Sequence, residues 1–236
     1  MIVSMNIRKS AIWLFTIIAT VIFSSCEDLD NYDAPNGGIY GTILDATTNQ
    51  PVPLPVQGSS GVIINLMEQN TSATKSVDFY AKYDGTYENS QVFNGEYDVT
   101  VNGPFTETAR QTVTISGQTE LNFTVTPYAR IEASASASGK TVTITYNVET
   151  TSPDFNVSEV YGYWNFAPGV DDSGNNFAEK KTVSETSGTI VFDLANSSIY
   201  QTNEYKIIDN GNKVYLRVGT KTNGVVNYSE TIELTL

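Results

Sequence analysis

Apolar and polar residues alternate with a period of two in many short segments between residue 37 and the C-terminus. Successive side chains of a β-strand point to opposite faces, so this alternation is typical of strands that bury one face. Six segments show it most clearly, and their apolar members are Tyr97, Val99 and Val101; Leu121, Phe123 and Val125; Val142, Ile144, Tyr146 and Val148; Ile190, Phe192 and Leu194; Val214, Leu216 and Val218; and Ile232, Leu234 and Leu236. No segment has a convincing amphipathic helix pattern, and residues 193–201 favour one helical turn at most. The chain is therefore predicted to be all-β, built of antiparallel sandwiches.

The length of this β-rich region favours two consecutive domains. Proline ends the alternating segment 121–126, and a new set of strands starts at Ala129, so the boundary is predicted at Pro127 and Tyr128. The two sandwiches are predicted at residues 37–127 and 128–236. Because almost no residues separate them, we expect a short linker and a semi-rigid pair.

The N-terminus has the features of an export signal. Arg8 and Lys9 precede an uncharged, mostly apolar run at residues 11–23, which is too short and wrongly flanked for a spanning helix. The small residues that follow, ending at Cys26, resemble the lipobox of bacterial lipoproteins, with Phe23 where that family usually has an aliphatic residue. The resemblance implies a signal peptide at residues 1–25, cleavage before Cys26 and a lipid on its thiol. The alternative is an ordinary signal peptide with an incidental cysteine.

Residues 26–36 are predicted to be an acidic tether. Their acidic segment beside the lipid cysteine, Glu27-Asp28-Leu29-Asp30-Asn31-Tyr32-Asp33, resembles the surface-export signal of Bacteroidetes lipoproteins, which implies an outer-membrane protein displayed at the cell surface. A plain disordered, solvated tether is the alternative, and both interpretations can hold together.

Composition removes several classes of function. The chain has no histidine, and Cys26 is its only cysteine, so it lacks Ser-His-Asp and Cys-His catalytic groups and Cys/His zinc sites. The chain has 13 basic and 26 acidic residues, and Arg8 and Lys9 leave with the predicted signal, so the mature chain has 11 basic residues and a net charge of −15. Such a charge repels phosphate backbones, so we expect no nucleic-acid partner. A glycosidase needs only two carboxylates, but two small domains leave little room for a deep cleft, so we expect no enzyme activity.

Four motifs in the first predicted domain are turn and core elements. They are Gly41 to Asp45, Thr48 to Pro51, Asp84 to Tyr87 and Gly95 to Val99. In this order they resemble the transthyretin-like family, which includes carboxypeptidase regulatory domains and bacterial adhesin stalk modules. The resemblance implies a scaffold or spacer domain. The segment 51–60 is longer than its counterpart in that family and richer in Pro, Gly and Ser, so a flexible loop is expected there.

The second predicted domain carries an aromatic strand near its middle and a Tyr-x-Arg-Val strand near its end. The first is Val160 to Phe166 and the second is Val214 to Gly219. They resemble immunoglobulin-like (Ig-like) and fibronectin type III sandwiches of the kind without a disulfide.

Strand parity in the aromatic strand predicts a core position for Trp164, because Val160 and Gly162 share its face. The same parity turns Tyr161 and Tyr163 outward, where paired tyrosines could stack on a ligand. Exposed tyrosines are nonetheless common in strands, so a ligand role is only one interpretation.

The loop after this strand, residues 167–177, supplies the other candidate ligand groups, Asp171, Asp172 and Asn175. Its oxygens could hold adventitious calcium, but the spacing and final glutamate of an EF-hand are missing, so a solvated loop is the simpler interpretation. We expect no metal site and no cofactor.

The whole arrangement resembles an uncharacterised family of Bacteroidetes lipoproteins that accompany SusC/SusD-type outer-membrane pairs in glycan uptake. The resemblance implies a non-catalytic accessory that binds polysaccharide or SusC/SusD-type proteins. The alternative function is a structural or adhesive spacer that docks to a protein partner.

Overall fold

The computed structural model describes residues 33–56 and 61–236. The predicted signal peptide, Cys26 and most of the predicted tether lie outside these residues. Residues 33–36 are exposed coil that leads into the first strand. Within the described ranges, no helix is long and apolar enough to cross a membrane.

Eight strands form the first sandwich. One sheet has the order β4-β1-β7, with β8 also paired to β1, and the other has the order β3-β2-β5-β6. The strands are β1 (Gly37–Asp45), β2 (Ile63–Glu68), β3 (Val77–Tyr80), β4 (Thr86–Val92), β5 (Gly95–Asn102), β6 (Gln111–Ile115), β7 (Gln118–Glu120) and β8 (Phe123–Val125). The buried core between the sheets includes the predicted alternating sets of β5 and β8.

Strand β1 departs from the antiparallel rule because two short strands run parallel to it. β7 pairs with its first half and β8 with its second half. Between them the chain crosses Gly41, where an added Cβ would lie 1.8 Å from the carbonyl oxygen of Leu121. Only glycine permits this close approach of two backbones, which explains the glycine that opens the Gly41 to Asp45 motif.

The second sandwich also has eight strands, all antiparallel to their partners. One sheet has the order β13-β10-β9, and the other has the order β12-β11-β14-β15, with β16 also paired to β14. The strands are β9 (Ala129–Ser138), β10 (Thr141–Thr150), β11 (Val157–Asn165), β12 (Glu179–Val183), β13 (Ser187–Asp193), β14 (Lys213–Thr222), β15 (Val225–Tyr228) and β16 (Ile232–Thr235). Trp164 is fully buried in its core, as predicted, and its indole N–H donates to Glu179 over 2.7 Å. The fold is thus two β-sandwiches, as the sequence predicts.

A helix of three turns lies between β13 and β14, where at most one turn was expected. This helix, α1, spans Ser198–Asp209, and the hydroxyl of Ser197 caps it by accepting the N–H of Tyr200. Only Tyr200 and Ile207 of the helix are buried. So narrow a buried stripe leaves almost no helical periodicity in the sequence, which is why the pattern missed the helix.

Two Asn-Gly dipeptides of the chain lie in different kinds of turn. Asn223 and Gly224, with φ of 51° and 84°, join β14 to β15 as the hairpin that this dipeptide favours. Asn94 and Gly95 instead carry the chain from one sheet to the other, because β4 and β5 belong to different sheets. A dipeptide therefore indicated a turn in both places, while the pairing of the flanking strands was decided by the core.

Candidate functional site at the junction of the two sandwiches

The segment 51–56, which follows β1, connects the first core to the second sandwich. Val52 and Leu54 are buried in the first core, and the backbone N–H of Val56 donates to the carboxylate of Asp171 over 2.9 Å. The flexible loop expected from Pro51 is therefore wrong for residues 51–56, and residues 57–60 lie outside the described part of the chain. Val52, Leu54 and Pro55 are all buried, so this segment packs against the protein.

An ion pair joins the end of β1 to the start of β9. The guanidinium of Arg130 donates to both carboxylate oxygens of Asp45, over 2.6 and 2.7 Å, and to the Thr47 hydroxyl over 2.9 Å. Burial alone would raise the pKa of Asp45, but hydrogen bonds from Arg130 and from the backbone of Thr47 and Thr48 outweigh it, so this pKa lies below its ordinary value. The two-pronged contact ties the first sandwich to the second.

Arg217 of β14 is completely buried where the sandwiches meet. Its guanidinium donates to three carbonyl oxygens, those of Ser229 over 2.8 Å, Val170 over 2.9 Å and, across the junction, Tyr83 over 3.5 Å. It also lies 4.6 Å from the ring centre of Tyr228. Burial lowers the pKa of Arg217 to about 10, so the side chain remains a cation at neutral pH.

Tyr161 and Tyr163 lie on the face opposite Trp164, as parity predicts, but they are only 5% and 0% exposed. They form a buried cluster with Val170, Tyr215 and Tyr228. The loop after β11 covers this cluster. The outward exposure expected for both tyrosines is therefore wrong. Parity fixes which side of a sheet a residue occupies, and only tertiary packing decides whether that side meets solvent.

The three candidate ligand residues of the loop, Asp171, Asp172 and Asn175, have different surroundings in the structure. Asp171 is fully buried, and its carboxylate accepts hydrogen bonds from Val56, Ser173 and Asn176. The carboxylate of Asp172 accepts the Tyr163 hydroxyl over 3.1 Å and pairs with Lys180, whose ammonium lies 3.7 Å from the ring centre of Tyr161. Asn175 is exposed. Among the described residues no group of three or more acidic, histidine or cysteine side chains could hold a metal ion.

Asn227 of β15 contributes an unusual group to the junction. Its side-chain N–H donates to the carbonyl oxygen of Pro104, across the junction, over 2.7 Å. Its side-chain oxygen is buried and accepts no hydrogen bond from the described residues. Buried amide oxygens normally have a partner, and an ordered water molecule is the usual one where the protein supplies none.

Two cavities lie side by side along the junction, and we call them together the junction groove. The first, of about 490 Å³, opens beside Asp45 and Arg130 and includes Asn227 in its wall. The second, of about 420 Å³, includes Tyr83 and Tyr215 in its wall. Pro51, Pro53 and Glu230 line both cavities and form the border between them. Both volumes fall in the range of small-molecule sites.

A third cavity, of about 600 Å³, lies at another edge of the junction and is lined by Asp172 and Ser173 among others. The carboxylate of Asp172 is already held by Tyr163 and Lys180. The junction groove has freer polar groups, because no ion pair of the described residues involves Glu132 or Glu230, both exposed and both in its wall. Its combination of acceptors with proline and tyrosine surfaces suits a ligand that has many hydroxyl groups.

Residues 37–126 match the N-terminal domain of a protein family of unknown function, DUF3823, and residues 128–232 match the C-terminal domain of the same family. The chain belongs to the DUF3823 family. No match was found among curated proteins.

Solved structures of DUF3823 proteins share the whole described fold. A DUF3823 protein from Parabacteroides merdae is 25% identical, with a TM-score of 0.70 over 86% of this chain and 100% of its own. One from Bacteroides uniformis is 21% identical, with a TM-score of 0.68 over the same shares of both chains. A second B. uniformis protein, proposed to bind carbohydrate, is 23% identical, with a TM-score of 0.67, again over 86% of this chain and 100% of that one.

Sequence reasoning missed the residues that build the junction groove of this DUF3823 protein. Asp45 was singled out only as part of a turn motif, and Arg130, Asn227 and Glu230 were not singled out at all. The unusual composition of residues 51–60 was the one available signal, because it marks the segment whose prolines line the groove. The partners come from strands far apart in the sequence, so no local spacing connects them.

Proposed function

We propose that this protein is a non-catalytic, lipid-anchored protein of the outer membrane that binds glycans in its junction groove. In this proposal Cys26 carries the lipid, residues 27–36 tether the protein at the cell surface, and the two sandwiches act beside a SusC/SusD-type uptake system. The relative from B. uniformis that is proposed to bind carbohydrate supports the ligand class.

One observation carries the proposal. The wall of the groove brings together the carboxylates of Glu132 and Glu230, which are exposed and form no ion pair with the described residues. Sugar hydroxyl groups donate hydrogen bonds to such acceptors, and the proline rings and the half-buried ring of Tyr83 can pack against the apolar faces of sugar rings. The aromatic platform of Tyr161 and Tyr163 is not used, because both rings are covered.

A glycan array with purified residues 27–236 tests the ligand class. We expect reproducible binding to at least one polysaccharide, and titration calorimetry should then give a one-site isotherm. Absence of binding to every polysaccharide would contradict the proposal. Incubation of the same glycans with the protein should release no reducing sugar, and release would show an enzyme instead.

The anchor is tested separately from the ligand. Cells that express the full chain should incorporate radiolabelled palmitate into it, and a Cys26→Ala variant should not. Protease treatment of intact cells should remove the protein if it is displayed outward. An unlabelled protein that keeps Met1 would contradict the anchoring.

A structural or adhesive spacer is the second candidate, and the contacts between the sandwiches favour it. Residues 35–236 form one compact unit, and the pair of Asp45 with Arg130 and the bond from Asn227 to Pro104 cross the junction. Such contacts suit a module that holds a partner at a fixed distance. Co-purification of envelope proteins with the lipidated form, together with an empty glycan array, would support the spacer.

A further inference from the structure

The junction groove has walls that are rich in acceptors and negative in charge. Glu132 and Glu230 line the first cavity, and Asp84, Glu230 and Glu233 line the second. Among the described residues that line it, the one cation is Arg130, which is already bound to Asp45 through two hydrogen bonds. We infer that the ligand is an uncharged glycan chain of at least two sugar residues that crosses Glu230 from one cavity into the other, an inference that rests on the proposed function.

Charge selects against acidic glycans. Glu233 is paired with Lys213 over 2.6 Å, but Glu132 and Glu230 have no such partner among the described residues. A sulfate or uronate group in the groove would face these carboxylates at short range and would also enter the field of a strongly acidic protein. Uncharged sugars avoid this repulsion and can donate hydroxyl hydrogen bonds to the same carboxylates.

The shape of the groove argues for a chain instead of a single sugar. Each cavity, at about 490 and 420 Å³, is within the range that holds a small ligand. The two share Pro51, Pro53 and Glu230, so a ligand that fills one ends at the mouth of the other. Both sandwiches supply walls to both cavities, so the complete site exists only in the two-domain protein.

The test compares charged and uncharged glycans on the same protein, residues 27–236. The uncharged probes are galactan, xylan, mannan and laminarin, and the acidic probes are polygalacturonate, alginate and heparin. For an uncharged hit, calorimetry is repeated with its oligosaccharides, from the single sugar up to the hexasaccharide. We expect binding to an uncharged probe only, with affinity that rises between the single sugar and the short chains and then levels off.

Two exposed groove residues locate the site. Glu230→Gln and Glu132→Gln keep the shape of the side chain and remove its charge, and each should lower the affinity about tenfold, as expected for a lost hydrogen bond to a charged group. Glu96→Gln, at an exposed position of β5 outside the groove, is the matched control and should leave the affinity unchanged. Circular dichroism confirms that each variant is folded.

The outcomes separate the inference from the proposed function. Binding to acidic probes only would overturn the inference and leave glycan binding in place. Binding to an uncharged probe that Glu230→Gln and Glu132→Gln do not weaken would overturn both the inference and the groove as the binding site, and would leave only glycan binding itself in place. Equal affinity for the single sugar and the hexasaccharide would contradict the inference that the ligand has at least two sugar residues. No binding to any probe would overturn both.

Discussion

The guanidinium of Arg130 in the second sandwich binds both carboxylate oxygens of Asp45 in the first, over 2.6 and 2.7 Å. Asp45 closes β1 and also accepts the backbone N–H of Thr47 over 2.7 Å, so the same side chain ends a strand, shapes the turn after it and holds the next domain. A residue of a turn motif thereby becomes part of the junction that forms the candidate site.

Asp45→Asn should destabilise the protein by about 1–3 kcal/mol, because Arg130 then loses its charged acceptor in a largely buried position. Urea unfolding at neutral pH, followed by circular dichroism, measures the difference. Glu88→Gln is the matched control, since Glu88 is more than half exposed and its contact with Lys82 is long, at 4.0 Å. The control should change the free energy of unfolding by less than about 0.5 kcal/mol.

The stabilisation that Asp45 contributes should be lost at acid pH. The pKa of Asp45 lies below its ordinary value of 3.8 in the folded protein, so an unfolded chain takes up this proton more readily. The contribution is therefore complete above that ordinary value and is lost as the pH falls through the folded pKa. The difference in unfolding free energy between the wild-type protein and Asp45→Asn should shrink below about pH 4. A difference that stays constant down to about pH 2 would contradict this.

Arg217→Lys should destabilise the protein by about 2–4 kcal/mol although it keeps the charge. A lysine has a single ammonium group and cannot reach the carbonyl oxygens of Ser229, Val170 and Tyr83 with the geometry of a guanidinium fork. Arg110→Lys is the matched control, because the Arg110 side chain is 66% exposed, and its effect should be below about 0.5 kcal/mol. Equal effects of the two variants in urea unfolding would show that the buried contacts of Arg217 contribute little.

The protein should lose stability above pH 10. Burial raises the pKa of Tyr87, Tyr163 and Tyr228 above the ordinary value of 10.0, so these hydroxyls keep their protons in the folded state when the unfolded chain has lost them. Their contribution is complete below pH 10 and is lost as the pH rises beyond it. Arg217 has the opposite effect there, because burial lowers its pKa to about 10, but several tyrosines outweigh one arginine.

Absorbance of tyrosinate and circular dichroism, followed together in an alkaline titration, test this expectation. A late phase of tyrosine ionisation should coincide with loss of the β-sheet signal. Tyr163→Phe removes one of the buried hydroxyls and should make stability fall less steeply with pH, whereas Tyr40→Phe, at an exposed position, should leave the slope unchanged. Ionisation of all tyrosines before any loss of structure would refute the account.

Gly41→Ala should destabilise the first sandwich by about 2 kcal/mol or more. The added methyl group would lie 1.8 Å from the carbonyl oxygen of Leu121, which is backbone and cannot move aside without breaking the pairing of β1 with β7 and β8. Gly174→Ala is the matched control, since a Cβ there would meet nothing within 4 Å. Thermal unfolding of both variants beside the wild-type protein measures the effect, and a tolerated Gly41→Ala would show that the strands can separate.

Strands were predictable where the buried face alternates with a more exposed one. The segment Val142 to Val148 alternates over its whole length, and it became β10 with its apolar residues in the core. Helix α1 was missed because its buried face has only Tyr200 and Ile207, too few to give a periodic pattern. The segment 121–126 was predicted as a strand of an antiparallel sandwich, yet β8, which lies within it, runs parallel to β1, as does the preceding β7, and no local signal in three-residue strands specifies that choice.

For the candidate ligand residues, too, the sequence predicted the position on the strand or loop but not the surroundings of the side chain. Tyr161 and Tyr163 were placed on the correct side of β11, but that side is covered by the loop they were expected to work with. Asp171 was selected for its oxygens, and those oxygens accept hydrogen bonds from the protein itself. A side chain that is chosen by type alone is as often a structural partner as a ligand, and only its neighbours distinguish the two.

The sequence by itself determined the β class, the alternating core positions and the burial of Trp164, because these depend on residues two apart along one strand. Tertiary structure alone decided where solvent is excluded and where a groove remains open. The pairs of Asp45 with Arg130 and of Asn227 with Pro104 join residues more than 80 positions apart. Contacts of that range depend on how two finished sandwiches pack, and packing is a property of whole surfaces that no local pattern records.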